Sequence, residues 1–78
     1  MSLDDKILVA HRELYNLAKK LGDQYNNCVL DGLRRIAWCE WENDLSRFIK
    51  GTLSYMDLDE TQRVEELDRI LKLCNDIS

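Results

Sequence analysis

His11, Cys28, Cys39 and Cys74 carry the imidazole and thiol groups of this chain, the groups best suited to metal binding or nucleophilic chemistry. Their spacing serves neither. Structural zinc sites are built from close cysteine or histidine pairs. Here the nearest thiols, Cys28 and Cys39, would stand three turns apart on an unbroken helix, roughly 16 Å. Nucleophilic catalysis needs a Ser or Cys beside a base and an orienting group, and His11 is flanked only by Ala10 and Arg12, with Glu13 beyond. Glu40 and Asp44 are one turn apart, as paired carboxylates can be, and on a surface helix that spacing reads as solvation. Asp57-Leu58-Asp59 opens like a calcium loop, but the sixth and twelfth places, where the EF-hand pattern needs Gly and Glu, hold Gln62 and Asp68. No catalytic residue, metal or cofactor is therefore expected. The thiols read as reduced, small core residues in a cytoplasmic setting.

The chemistry the sequence does offer is recognition. Trp38-Cys39-Glu40-Trp41 places two indoles at i,i+3, about 60° apart on a helix, where they form a broad aromatic ridge. Tryptophan buries a large area at low entropic cost and is enriched at interface hot spots. Arg34, one turn before Trp38, and Arg35 are placed to stack a guanidinium on the indole. Trp41 is assigned to the core, and Trp38, which falls opposite the preceding apolar stripe, to a partner.

These residues must be positioned by helices. Pro is absent and Gly occurs only at 22, 32 and 51, a composition that favours helix and supplies few sheet turns. Ser2 caps a first helix with Asp4 and Asp5 in its first turn. Leu3, Ile7, Ala10, Leu14, Leu17 and Leu21 give it a heptad seam, and Gly22 stops it after Lys19 and Lys20. Asp23 opens a second segment that Gly51 closes. Its apolar face moves: Tyr25, Val29, Leu33, Ile36 and Ala37 share one side, whereas Trp38, Trp41, Leu45, Phe48 and Ile49 centre well over 90° away. The favoured reading is one helix, continuous or mildly kinked. A break at Asp31-Gly32, or a close approach of another helix to Gly32, are the alternatives. The first half then packs on helix 1, and the second half faces helix 3 and a partner protein. After a connection over Thr52–Met56, Asp57 and Glu60 form a capping box. Val64, Leu67, Leu71 and Cys74, with Ile70 and Ile77, form the third stripe. Glu65 with Arg69 and Asp68 with Lys72 are favourable i,i+4 pairs.

With 78 residues the chain is one domain, residues 1–78. Its net charge of −4 argues against a generic grip on nucleic acid or an anionic membrane. The acidity lies in residues 51–78, where Arg63, Arg69 and Lys72 face seven acids. A surface including Asp59, Glu65, Glu66 and Asp68 could therefore meet a basic partner. No stretch approaches the ~18 apolar residues of a membrane span, and the N-terminus lacks the basic and apolar runs of a signal peptide.

Leu45-Ser46-Arg47-Phe48-Ile49-Lys50-Gly51 resembles the end of the recognition helix in repressor-type helix-turn-helix domains, over about fifteen residues. The resemblance would imply DNA contacts from Ser46, Arg47 and Lys50. The tight turn that family places before this helix has no counterpart at Trp41-Glu42-Asn43-Asp44, and Glu40, Glu42 and Asp44 would face phosphate.

The expected protein is an all-α three-helix bundle, the central helix kinked or split near Gly32 as its variant form, that completes its core by dimerisation. Its expected function is that of a non-catalytic interaction module (adaptor, regulator or inhibitor). The partner-binding residues are Trp38, Arg34, Arg35, Glu42, Asp59, Glu65, Glu66 and Asp68. A helix-turn-helix-like DNA-binding regulator is the second reading.

Overall fold

The computed structural model describes residues 2–76, which form four α-helices: α1 Leu3–Leu21, α2 Asn27–Ala37, α3 Glu42–Ser54 and α4 Glu60–Asp76. The ends of α1 follow the sequence. Ser2 Oγ accepts the Asp5 amide at 3.3 Å, and Gly22 sits in the left-handed region (φ 82°) with its N–H on the Ala18 and Lys19 carbonyls. Two other caps differ from expectation. Asn26, not Asp23, caps α2, its Oδ1 accepting the Cys28 amide at 2.9 Å. The Asp23 carboxylate instead accepts the Asp57 amide at 2.8 Å and ties the α1–α2 loop to the α3–α4 loop. The capping box of α4 is Asp59 with Gln62, bonded in both directions (2.8 and 3.2 Å), not Asp57 with Glu60.

The three-helix expectation is corrected to four, and the break in the central segment is not at Gly32. It falls at Trp38–Trp41, where the apolar face changes direction. α2 buries Val29, Leu33 and Ile36, and α3 buries Leu45, Ile49, Thr52 and Leu53. One straight helix cannot aim both stripes at one core, so the chain turns between them. Gly32 stays helical because α3 crosses it closely. A Cβ there would lie 2.2 Å from Thr52 Oγ1 and 2.9 Å from Thr52 Cβ.

Gly51, expected to end the segment, lies inside α3, which runs on through Thr52 to Ser54. Nothing stands within 4 Å of a Cβ at this position. Gly51→Ala should therefore stabilise the protein by about 0.5–1 kcal/mol, from helix propensity and reduced unfolded-state entropy. A shifted urea midpoint at unchanged m-value is the measurement.

α1 and α3 touch each other and both touch α2 and α4, whereas α2 and α4 share no contact among the described residues. The array is thus a rhombus with α1 and α3 across its short diagonal and α2 and α4 as flanks. Leu14, Val29, Ile36, Ile49, Leu53 and Ile70 are fully buried within the single chain. The radius of gyration, 11.4 Å, matches the ~11.5 Å of a closed domain of this length. The buried residues form a core within the single chain. On α4, Ile70 and Cys74 are buried and Leu67 and Leu71 half-buried, but Val64 is exposed; Ile77 lies outside the described residues.

The α1–α4 seam carries an ionic network. Arg69 donates to Glu13 and to Glu66, both at 2.7 Å, in place of the expected pairing with Glu65. The Arg69 hydrogen bond, against partial burial and with help from Arg12, holds the Glu13 carboxyl below the usual carboxylate range. A carboxyl depressed on folding contributes stability above its unfolded value, about 4.3, and that contribution is lost as pH falls through its folded value. Arg69→Met is thus expected to lose up to about 1 kcal/mol at neutral pH, the pair being partly solvated. Urea denaturation should show the deficit shrinking as the pH falls below about 4.3 and on through the lowered Glu13 value, where the paired carboxyl also takes up its proton.

Candidate interaction surface

The turn between α2 and α3 is held from inside. Cys39 is buried, its Sγ lies 3.1 Å from the Trp41 carbonyl, and its amide bonds to Ile36 O at 3.1 Å. The Trp38 amide caps α2 on Arg34 O at 3.1 Å, and Trp41 O accepts the Asp44 amide at 3.0 Å to start α3. The main chain is therefore fixed by its own bonds and by one buried side chain. The two indoles take no part in this. Trp38 is 80% exposed and Trp41 68% exposed. The assignment of Trp41 to the core is corrected: as the N-cap of α3 it lies outside both helical stripes.

Of the other candidate residues, Arg34 and Arg35 are exposed in the last turn of α2, close to Trp38. Neither stacks on an indole. Arg34 donates to Asp31 at 3.3 Å, and the cation–π contact among the described residues is Arg47 over Phe48, 5.6 Å from the ring centroid. Glu42 opens α3 and pairs with Lys6 of α1, whose ammonium holds the carboxyl below its usual range. Asp59 is occupied in capping α4, Glu66 bonds Arg69, and Asp68 pairs with Lys72 at 3.1 Å. Asp59 and Glu65 are the two of the four that are exposed and without an ion-pair partner among the described residues, and of these Asp59 is engaged in the cap. The proposed surface is thus divided. Trp38, Arg34 and Arg35 gather at the end of α2 with Glu42 across the turn, and the α4 acids lie on the flank that α2 does not touch.

Exposed apolar side chains extend the α2 side. Tyr25 (83%), Leu30 and Tyr55 (55%) join Trp38 and Trp41 on α2, its flanks and the end of α3. Sequence reasoning missed Tyr25, Trp41 and Tyr55. The available signal was their place at helix boundaries, where the periodicity of a stripe no longer says which way a side chain faces. Between α2 and α3 runs a groove of about 380 Å³, lined by residues of both helices from Cys28 and Tyr55 at one end to Arg35 and Arg47 at the other.

The α2–α3 pair does not reproduce the helix-turn-helix crossing. Asn26 Nδ2 donates to Tyr55 O at 3.1 Å, which joins the start of α2 to the end of α3. Two helices of these lengths, opened to the 90–120° of that motif, would hold those ends about 25 Å or more apart. The pair is an antiparallel hairpin.

The thiols are dispersed. Cys28 is exposed, against its expected place in the core, while Cys39 and Cys74 are buried, and burial pushes the Cys74 thiol up. Among the described residues no three His, Cys, Asp or Glu side chains converge as a metal site. No described helix is long and apolar enough to cross a membrane. Comparison of the chain with protein-family models, with curated proteins and with solved structures gives no match.

Proposed function

We propose that this chain is a non-catalytic interaction module that binds a partner protein through its α2 side, with Trp38 and Trp41 as the anchoring side chains. The observation that carries the reading is the pair of indoles, 80% and 68% exposed, on a turn whose backbone is fixed without them. Large side chains left in water on a rigid support are what a binding hot spot requires: little ordering entropy remains to be lost, and much apolar area remains to be covered. Arg34, Arg35 and Glu42 supply a charged rim. An adaptor, regulator or inhibitor acts in this way, by occupying a partner's surface. Three free thiols accord with a reducing, cytoplasmic location.

The test is affinity capture from the native host with the intact chain and with Trp38→Ala. The reading requires at least one captured protein to be lost with the variant, and equal capture of every protein would remove it. Pairing of two copies through the same face is the self-associating form of the proposal. It predicts a melting temperature that climbs with protein concentration, measurable by differential scanning calorimetry over a wide dilution range. A concentration-independent melt assigns the face to a different protein.

A further inference from the structure

Gly51 is a residue the fold does not need. It lies in the last turn of α3 without positive φ, a Cβ would meet nothing within 4 Å, and glycine favours a helix less than alanine does. Its missing side chain has one visible consequence: it leaves open the α2–α3 groove, whose floor is the close contact of Gly32 with Thr52. One end of the groove is cationic. Arg47 is fixed there by Asp44 at 2.8 Å and lies over the Phe48 ring, while Arg35 has no carboxylate partner among the described residues. Of the charges that line the groove, Asp31 bonds Arg34 and Arg47 bonds Asp44, which leaves the Arg35 guanidinium as the charge without a counter-ion among the described residues. Arg35 also lies about one helical turn before Trp38, which itself stands outside the groove lining.

We infer that the groove receives a segment of the partner protein that carries a carboxylate next to apolar residues. The carboxylate meets Arg35 and Arg47, and the apolar part lies over Phe48 and the bare backbone at Gly51. This rests on the α2-side reading above and names the partner's chemistry. Guanidinium–carboxylate bonding supplies orientation and the apolar floor supplies area. A free energy equivalent to tenfold in affinity, about 1.4 kcal/mol, is less than a desolvated charge pair commonly contributes.

The experiment is selection from a displayed library of random peptides on the intact protein, followed by titration of the enriched peptides against variants. Enriched peptides should carry Asp or Glu beside apolar residues. They should bind Arg35→Glu and Gly51→Leu about tenfold or more weaker. Gly51→Leu fills the groove while favouring the helix, so its loss of binding cannot be ascribed to unfolding; an unreduced urea midpoint verifies this. Failure to enrich any peptide, enrichment without acidic residues, or binding indifferent to both variants overturns the inference. So does charge-reversal-sensitive binding of duplex DNA in place of peptide. Peptides lost with Trp38→Ala but kept by Arg35→Glu and Gly51→Leu overturn the groove alone. Peptides lost with the groove variants but kept by Trp38→Ala overturn the Trp38 anchor.

Discussion

Replacing Gly32 with alanine is expected to remove about 1–2 kcal/mol of net stability, a large share of what holds this protein folded. The added methyl would lie 2.2 Å from Thr52 Oγ1, 2.9 Å from its Cβ and 3.0 Å from its Cγ2. Rotating Thr52 does not relieve the clash, because Cβ moves only with the backbone of α3. The hydroxyl is moreover engaged with Phe48 O at 2.7 Å, and the residue is buried. Two helices must separate, and with them the packing of Val29, Leu33, Ile49 and Leu53. Overpacking of this kind costs typically about 1–3 kcal/mol, against the roughly 3–5 kcal/mol that a single core of this size supplies. The gain of about 1 kcal/mol in helix propensity does not offset it. Thr52→Ala removes the two methyl-sized obstacles beyond Cβ, so the double variant should be less destabilised than the sum of the single ones. A coupling of about 1 kcal/mol or more in a urea double-mutant cycle is the expected result. Additive effects would mean that the helices do not meet at this pair.

The same glycine shows where sequence reasoning ran out. The shift in apolar face between Ala37 and Leu45 was legible, and it marked the real break between α2 and α3. The favoured reading was one continuous or mildly kinked helix, with a break or a close contact at Gly32 as alternatives, because a mid-helix glycine is compatible with both and only the partner helix distinguishes them. The heptad seam of α1, its Ser2 cap and its Gly22 stop were legible because each depends on neighbours in sequence. The start of α4 was misread by two residues, since Asp57 and Asp59 are both followed, three places on, by a residue able to complete a capping box. The Asn26 cap was missed because Asp23 is an equally good capping residue, and its use depends on Asp57, which is remote in sequence. For the candidate surface, Trp38 was legible as the residue opposite the α2 stripe. Trp41 was not, because a helical wheel drawn through a helix end continues a rotation the backbone no longer makes. The groove was invisible, since it exists only once Gly51 is seen to have room for a side chain it lacks.

Trp38→Ala with Trp41→Ala is expected to separate stability from binding more sharply than any other change. Truncating a buried tryptophan costs about 3–5 kcal/mol, whereas exposed positions change stability by about 0.5 kcal/mol or less. At 80% and 68% exposure, both indoles belong to the second class. The turn should survive, because Cys39 and the main-chain bonds at Trp38 and Trp41 hold it without the rings. Binding should not survive. A hot-spot aromatic contributes about 2 kcal/mol or more on truncation, roughly a thirtyfold loss of affinity for each ring that is covered.

Quantitative affinity capture from the native host, with the intact chain and the Trp38→Ala/Trp41→Ala variant compared at matched loading, tests the central claim most directly. The account predicts a variant with an unchanged urea midpoint that loses at least one captured protein by about tenfold or more. Equal recovery of every captured protein, from a variant that is equally stable, would contradict it.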